Sequence, residues 1–279
     1  MENPIYPCLW FNGQAKEAAE LYCSVFKNSK ITEENPLVVM WELNGLKVMG
    51  LNGGPTFKMN PSISLFVLCE TIEETDKAWD KLVEGGKVMM DIGKYPWSER
   101  YGWLQDKFGF TWQISVVNNK GDKMRITPSF LFTDKYFGRA EAAVKFYTSI
   151  FKNSKVDTMM HYPKGDANEG KVLYSEFKLD NYQLIAMDGP GAHKYHFDEG
   201  VSLVIECDTQ QEIDHYWEKL LANGGKEDRC GWLKDQFGVS WQVVPKVLRK
   251  LMSDPSRRER VVAAFMKMVK FNIKELENA

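Results

Sequence analysis

The 279 residues carry 36 basic against 38 acidic side chains, a formal charge of -2, with 44% apolar and 27% charged residues. These ordinary globular proportions argue against a disordered chain, and the length suits two domains that each bury a core. No apolar run approaches the roughly 18 residues that cross a bilayer, and no basic stripe exists beyond Arg257, Arg258 and Arg260, so neither a membrane nor a nucleic acid is expected as a partner.

In chain order, the start MENPIYPCLWF has no basic segment leading into an apolar core, so no secretory signal is read and a cytoplasmic protein is expected. Tyr6 to Phe11 is a short apolar run bounded by Pro and Asn-Gly, a buried strand. Ala15, Ala18, Tyr22, Val25 and Phe26 then fall at helical spacing. LVVMWEL and LKVMGLN flank Asn44-Gly45, the strongest short hairpin signal. Ser62 to Cys69 reads as a strand, followed by Thr71-Ile-Glu-Glu74, a capping box opening a helix that stops at Gly-Gly. GWLQDKFGFTWQ, from Gly102 to Gln113, contains a turn in which Asp106 accepts a backbone N–H and Gly109 supplies positive φ. On the strand after it, Phe110, Trp112 and Ile114 face a core, while Thr111, Gln113 and Ser115 face either solvent or a polar cavity.

Nearly everything then recurs. The segment from Gly13 through Phe26-Lys-Asn-Ser-Lys30 returns from Gly138 through Phe151-Lys-Asn-Ser-Lys155, and Ser64-Leu to Lys87 returns as Ser202-Leu to Lys226. GWLKDQFGVSWQ, from Gly231 to Gln242, keeps eight of the twelve residues of its counterpart. The chain therefore divides into residues 1–118, a linker at 119–125, a second copy at 126–245 and a tail at 246–279. Between Gly-Gly-Lys and Gly-Trp-Leu the first copy has VMMDIGKYPWSERY and the second only EDRC, which predicts the loss of one strand from the second copy. In the tail, Asp254-Pro255 caps a helix carrying Val261, Val262, Phe265, Met268 and Val269 on one face, and Asn272 to Glu275 caps another before Leu276. The expectation is that this apolar face docks rather than dangles.

The doubled strand, helix and two-strand order, LYCSVF and FYTSIF on the helices, and D-x-F-G-x-x-W-Q near each end resemble the vicinal-oxygen-chelate superfamily of glyoxalases, bleomycin-resistance proteins and extradiol dioxygenases. QQEIDHYWEKL and CGWLKDQFGVSWQVVP resemble its PhnB-like branch, whose members often bear a demethylubiquinone methyltransferase label. The resemblance covers nearly the whole chain. It implies an α+β fold of two tandem glyoxalase-like domains built from paired βαβββ modules, each with a cupped mixed sheet and helices outside, plus the helical tail.

Metal-using members project His and Glu side chains into the cup, leaving positions open for a substrate with adjacent oxygens. Carried onto this chain, the first-strand position falls on Pro7 and Pro128, and the fourth-strand position near Ser62 and Gly200. No carboxylate lies in Lys47 to Leu51, although Asp188 is close to the equivalent point, and Gln113 and Gln242 stand where the final-strand Glu is expected. One amide oxygen without His or carboxylate neighbours is too weak a site, so no metal and no cofactor are expected. The His193-Lys-Tyr-His196 pair sits in a Gly-Pro-Gly loop, and His161 and His215 are isolated. Five cysteines without C-x-x-C spacing read as reduced thiols. Asn52-Gly-Gly-Pro and Asp188-Gly-Pro-Gly lead into strands rather than helices, unlike the turn that holds a methyl-donor cofactor in a doubly wound sheet.

Three functions compete on this reading: a binder of a small planar or aromatic molecule, a metal-dependent enzyme of glyoxalase or dioxygenase type, and a purely structural module. Methyl transfer of the kind the family label names is a further alternative. For the first, Phe11, Trp97, Tyr101, Trp103, Gln113 and Gln242 are the candidate cup lining, with plain core packing as the competing role of the aromatics. The partner is then a small-molecule ligand, and two chains pairing as a homodimer is left open.

Overall fold

The computed structural model describes residues 4–119 and 121–279; Met1 to Asn3 and the linker residue Lys120 lie outside the described residues. The first copy runs β1 (Ile5–Phe11), α1 (Ala15–Val25), β2 (Lys30–Glu34), β3 (Val38–Leu43), β4 (Leu46–Asn52), β5 (Ile63–Cys69), α2 (Ile72–Val83), β6 (Lys87–Tyr95), β7 (Ser98–Gln105) and β8 (Thr111–Val116). The second runs β9 (Arg125–Phe132), α3 (Ala140–Ile150), β10 (Lys155–His161), β11 (Val172–Leu179), β12 (Tyr182–Asp188), β13 (Val201–Cys207), α4 (Gln210–Leu221), β14 (Lys226–Glu227), β15 (Trp232–Lys234) and β16 (Ser240–Pro245). Three short helices follow, α5 (Val247–Ser253), α6 (Arg258–Phe265) and α7 (Ile273–Asn278). No helix among the described residues is long and apolar enough to cross a membrane.

Local chemistry sets these elements. Asn44 (φ 46°) and Gly45 (φ 87°) make the left-handed pair that a two-residue hairpin between β3 and β4 requires. Thr71 and Thr209 each accept the backbone N–H three residues on, at the starts of α2 and α4. Around α4 the box closes on the cap residue itself, since Glu212 accepts from Thr209 N–H; at α2, Glu74 instead reaches the N–H of Glu70. Helices α1 and α3 are capped from a distance, by Asn52 accepting from Ala15 N–H and Asp188 accepting from Ala140 N–H.

The repeated twelve-residue segment has a structural explanation. Asp106 Oδ1 accepts from the N–H groups of Phe108 and Phe110, and its Oδ2 accepts from Tyr22 Oη (2.7 Å) and Trp112 Nε1 (2.8 Å). Asp235 does the same with Phe237, Val239, Tyr147 (2.7 Å) and Trp241 (2.8 Å). Each aspartate thus pins a helix tyrosine and a strand tryptophan to one buried turn. Burial raises both carboxyls above their ordinary range, Asp235 to about 6, while the four donors pull the other way.

The copies differ from expectation in three respects. First, the resemblance implied one cupped sheet per copy, but the strands combine across copies. One eight-stranded sheet, sheet A, has the order β14-β15-β16-β13-β1-β4-β3-β2, and the other, sheet B, β10-β11-β12-β9-β5-β8-β7-β6. Antiparallel β1 to β13 and β5 to β9 pairings make the joins. The copy remains the unit of core packing, because Tyr22 of α1 and its C-cap residue Phe26, on sheet A, meet Trp112 of sheet B, and Tyr147 and Phe151 meet Trp241 likewise. With helices packed on one face of every sheet, a βαβββ module has an unpaired strand edge, and the other copy supplies the matching edge.

Second, the shorter segment in the second copy removes no strand. It trims the long β6–β7 hairpin to the two-residue β14 and three-residue β15, because β15 must still pair with β16. Third, the tail helix does not run from Asp254 to Val269. It ends at Phe265, and two carbonyls of the turn after it accept from the truncated hairpin, Met268 O from Cys230 N–H and Val269 O from Gly231 N–H, both at 2.8 Å. Phe271 lies on Gly231, where a Cβ would come within 2.5 Å of its ring. Val261, Met268, Phe271 and Leu276 are buried in the common core, whereas Val269 is exposed. The basic cluster has a local use: Arg257, Arg258 and Arg260 donate to the carbonyls of Glu277, Met252 and Ala279, ends of α7 and α5.

Candidate functional site

The faces of the two sheets turned away from the helices are the candidate sites, and strand alternation decides which residues reach them. On β1, Ile5, Leu9 and Phe11 enter the helix-packed core, leaving Tyr6, Cys8 and Trp10 on the open face. On β9 the open-face residues are Arg125, Thr127, Ser129 and Leu131, opposite the core residues Ile126, Phe130 and Phe132. Pro7 and Pro128 are therefore on the wrong side for the first-strand ligand position expected of them; Cys8 and Ser129 occupy it. A one-residue shift in register moves every side chain across the sheet, which is why the sequence alone misplaced them.

Around Cys8, sheet A brings Met49 of β4 and Ser202 of β13 into register, with Gln242 of β16 donating through Nε2 to Ser202 Oγ at 2.9 Å. Sheet B repeats the arrangement with Ser129, Ile185, Ser64 and Gln113, whose Nε2 donates to Ser64 Oγ at 2.8 Å. Tyr101 Oη–H, on β7, donates to Gln113 Oε1 at 2.9 Å. Both glutamines are buried, which decides between solvent and a polar cavity for this face.

The donor sets do not fit a divalent metal. Neither quartet contains a His or a carboxylate, Gln113 has both ends of its amide engaged, and Cys8 is the single ionisable donor in either set. Asp188, the carboxylate nearest the ligand position, accepts the N–H groups of Gly138, Ala140 and Val172 and so holds the start of α3. The expected fourth-strand positions are also structural: Ser62 N–H donates to Asn60, and Gly200 packs on the backbone at Lys58. His193, His161 and His215 bond to Pro190 O, Glu141 and Ile150 O, each apart from the others. No group of three or more His, Cys, Asp and Glu with metal-binding spacing exists among the described residues.

Of the candidate lining, Tyr101, Trp103 and Gln113 come together on sheet B, and Gln242 sits alone on sheet A. Phe11 is a correction: its ring is buried against Phe108 in the core (centroids 6.2 Å), because it shares a face with Ile5 and Leu9. Trp97 lies at the turn of the β6–β7 hairpin, 54% exposed, stacked on Tyr95 at 5.0 Å and edge-on to Tyr101 at 5.6 Å. The aromatic series continues from Tyr101 of β7 to Phe66 of β5 (6.2 Å) and from there to Tyr174 of β11 (6.4 Å). Beside Tyr174, Arg125 grips Glu176 with two donors at 2.7 and 3.2 Å, and Tyr174 Oη–H donates to the same carboxylate at 2.5 Å. Phe66, Tyr174, Ser64, Ser129 and the Arg125–Glu176 pair were not singled out from the sequence. The available signal was the repeated Ser-Leu at 64 and 202, a polar residue in an otherwise apolar strand.

Sheet A presents a different face. Tyr6, Cys8, Met40 and Val204 form a small apolar cluster with Val38, Met49, Leu51 and Val244 against it. Trp10 is held by its indole N–H to Gly54 O (2.8 Å) and meets Phe57 and Trp232 edge-on at 4.9 and 6.1 Å. Tyr6 Oη–H (2.8 Å) and Lys47 Nζ (3.0 Å) both donate to Glu206, and Arg249 of α5 pairs with Glu33 of β2.

A protein-family model described as 3-demethylubiquinone-9 3-methyltransferase matches residues 3–115 and again 124–244. The chain belongs to this family, as a tandem of two copies. A solved structure described as a putative 3-demethylubiquinone-9 3-methyltransferase, PhnB protein, from Bacillus cereus is 33% identical over 40% of this chain and 98% of its own, with a TM-score of 0.38. Glyoxalase I from Zea mays is 10% identical, covering 91% of this chain and 96% of its own at a TM-score of 0.60, a likeness of fold across both copies. No curated protein sequence matches the chain. The family's fold is thus the glyoxalase-like one. Both Gly-Pro segments after β4 and β12 lead into β5 and β13, not into helices, unlike the cofactor turn of a doubly wound sheet.

Proposed function

We propose that this 3-demethylubiquinone-9 3-methyltransferase family member binds a small planar or aromatic molecule on a helix-free sheet face without a metal. The observation that carries the reading is the Gln113–Ser64 pair under Tyr101: the position from which a metal ligand would project holds a neutral amide bonded at both ends. Around it stand the rings of Phe66, Tyr101 and Tyr174, flat apolar surface of the kind that holds an aromatic ligand, with few but placed polar groups. The metal-dependent reading lacks ligands, and the methyl-transfer reading rests on the family description alone.

The test is elemental analysis of the dialysed protein beside a melting-shift screen of aromatic compounds, with zinc, nickel and manganese as separate additions. Less than about a tenth of an equivalent of transition metal, with stabilisation by aromatic compounds but not by the ions, is expected. One tightly held metal per sheet face, surviving dialysis, would overturn the reading.

A further inference from the structure

Resting on the small-molecule reading above, we infer that the site is the helix-free face of sheet B alone, and that it takes one neutral planar molecule bearing a carbonyl-type oxygen. The two faces can be matched position by position through their registers, because Cys8 stands opposite Met49 and Ser202 as Ser129 stands opposite Ile185 and Ser64. Where sheet A has Tyr6, Cys8, Met40 and Val204 packed as an apolar cluster, sheet B has Thr127, Ser129, Glu176 and Phe66.

Sheet B also carries unspent hydrogen-bonding capacity. Ser129 is 1% exposed, and its Oγ finds no partner among the described residues; the indole N–H of Trp103, opposite Gln113 in register, finds none either. A buried donor without an acceptor is costly, and a ligand oxygen that receives it recovers that cost on binding. Trp103 N–H can only donate, so the ligand atom must accept. On sheet A the matching Trp232 is half-buried beside Trp10, whose own N–H is already given to Gly54 O, and the chain at Gly53 lies on the Trp10 ring. On its helix-free face sheet A has one comparable group among the described residues, Ser240 Oγ, in register with Lys234 on the truncated hairpin; Trp41 Nε1 also lacks a partner but lies in the helix-packed core.

Charge selects the ligand further. Arg125 and Glu176 neutralise each other, and the remaining floor groups, Ser64, Gln113, Ser115, Thr127 and Ser129, are uncharged. An ionised ligand would be desolvated there without a counter-charge, whereas a neutral carbonyl would not. The rings of Phe66, Tyr101 and Tyr174 supply the flat contact.

Equilibrium dialysis of the full chain with three matched naphthalenes tests this: 2-acetonaphthone, naphthalene and 2-naphthoate. The ketone should bind at one equivalent per chain, about tenfold tighter than either comparator, as one recovered hydrogen bond implies. Trp103→Phe keeps the ring and removes the N–H, so it should weaken the ketone about 5- to 10-fold and leave naphthalene unchanged. Trp232→Phe on sheet A should change nothing. If 2-naphthoate binds as tightly as the ketone, the neutral class is wrong. If Trp232→Phe weakens binding and Trp103→Phe does not, the face is wrong while the binding reading stands. Failure of all three probes and of the wider aromatic screen would remove both.

Discussion

Asp235→Ala tests the account of the repeated turn. The carboxylate is buried and receives four hydrogen bonds, from Tyr147, Trp241 and the backbone N–H groups of Phe237 and Val239. Alanine leaves those donors without their acceptor, at about 1–3 kcal/mol each. Against this stands the removal of a buried charge: raising the carboxyl from 3.8 to about 6 corresponds to about 3 kcal/mol at neutral pH. Four donors outweigh one charge, leaving a net loss of about 1–9 kcal/mol, a large part of the roughly 5–15 kcal/mol that holds an ordinary domain.

The pH dependence has a definite sign. The folded carboxyl holds its proton up to a higher pH than the unfolded one, so between about pH 4 and pH 6 the folded state binds more protons, and the contribution of Asp235 to stability falls as pH rises. The alanine variant should lack that slope, and its deficit should be larger at about pH 4.5 than at pH 7. Urea unfolding at both pH values, read as midpoint at constant m, measures this directly. A variant within about 0.5 kcal/mol of the parent at pH 7, or an equal deficit at both pH values, would refute the four-bond account.

The tail and the thiols give two further expectations. Deleting residues 250–279 removes Phe271 from Gly231 and the carbonyls that Cys230 and Gly231 use, and each large side chain lost from burial is worth about 1.5–3 kcal/mol. The melting temperature should fall by about 5 °C or more with new dye-binding surface, and an unchanged melt with a monodisperse product would show the tail to be dispensable. Burial raises the thiols of Cys8, Cys69 and Cys207, the first two to about 12, while Cys23 and Cys230 are half-buried. A thiol reagent at about pH 8 should therefore label no more than Cys23 and Cys230 in the native protein and all five after unfolding; native labelling of Cys8 would contradict its burial in the apolar cluster of sheet A.

Local patterns in the sequence determined much of this protein: the tandem copies, the Asn44-Gly45 hairpin, both Thr caps and the placement of Gln113 on the strand face opposite the core residues Trp112 and Ile114. Each of these depends on residues a few positions apart, whose turn geometry or alternation is set by the backbone itself. Only the tertiary structure decided which strands share a sheet, because the edges of β1 and β5 are equally unpaired within one copy, and the choice of β13 and β9 rests on contacts made across the whole chain. The same holds for the site. Phe11 and Trp10 are adjacent in sequence, yet one is core and the other on the open face, and Ser129 meets Ser64 only through the pairing of β9 with β5. That the tail docks was legible from its apolar face, but where it docks was not, since the place it fills lies beside the second copy's short hairpin.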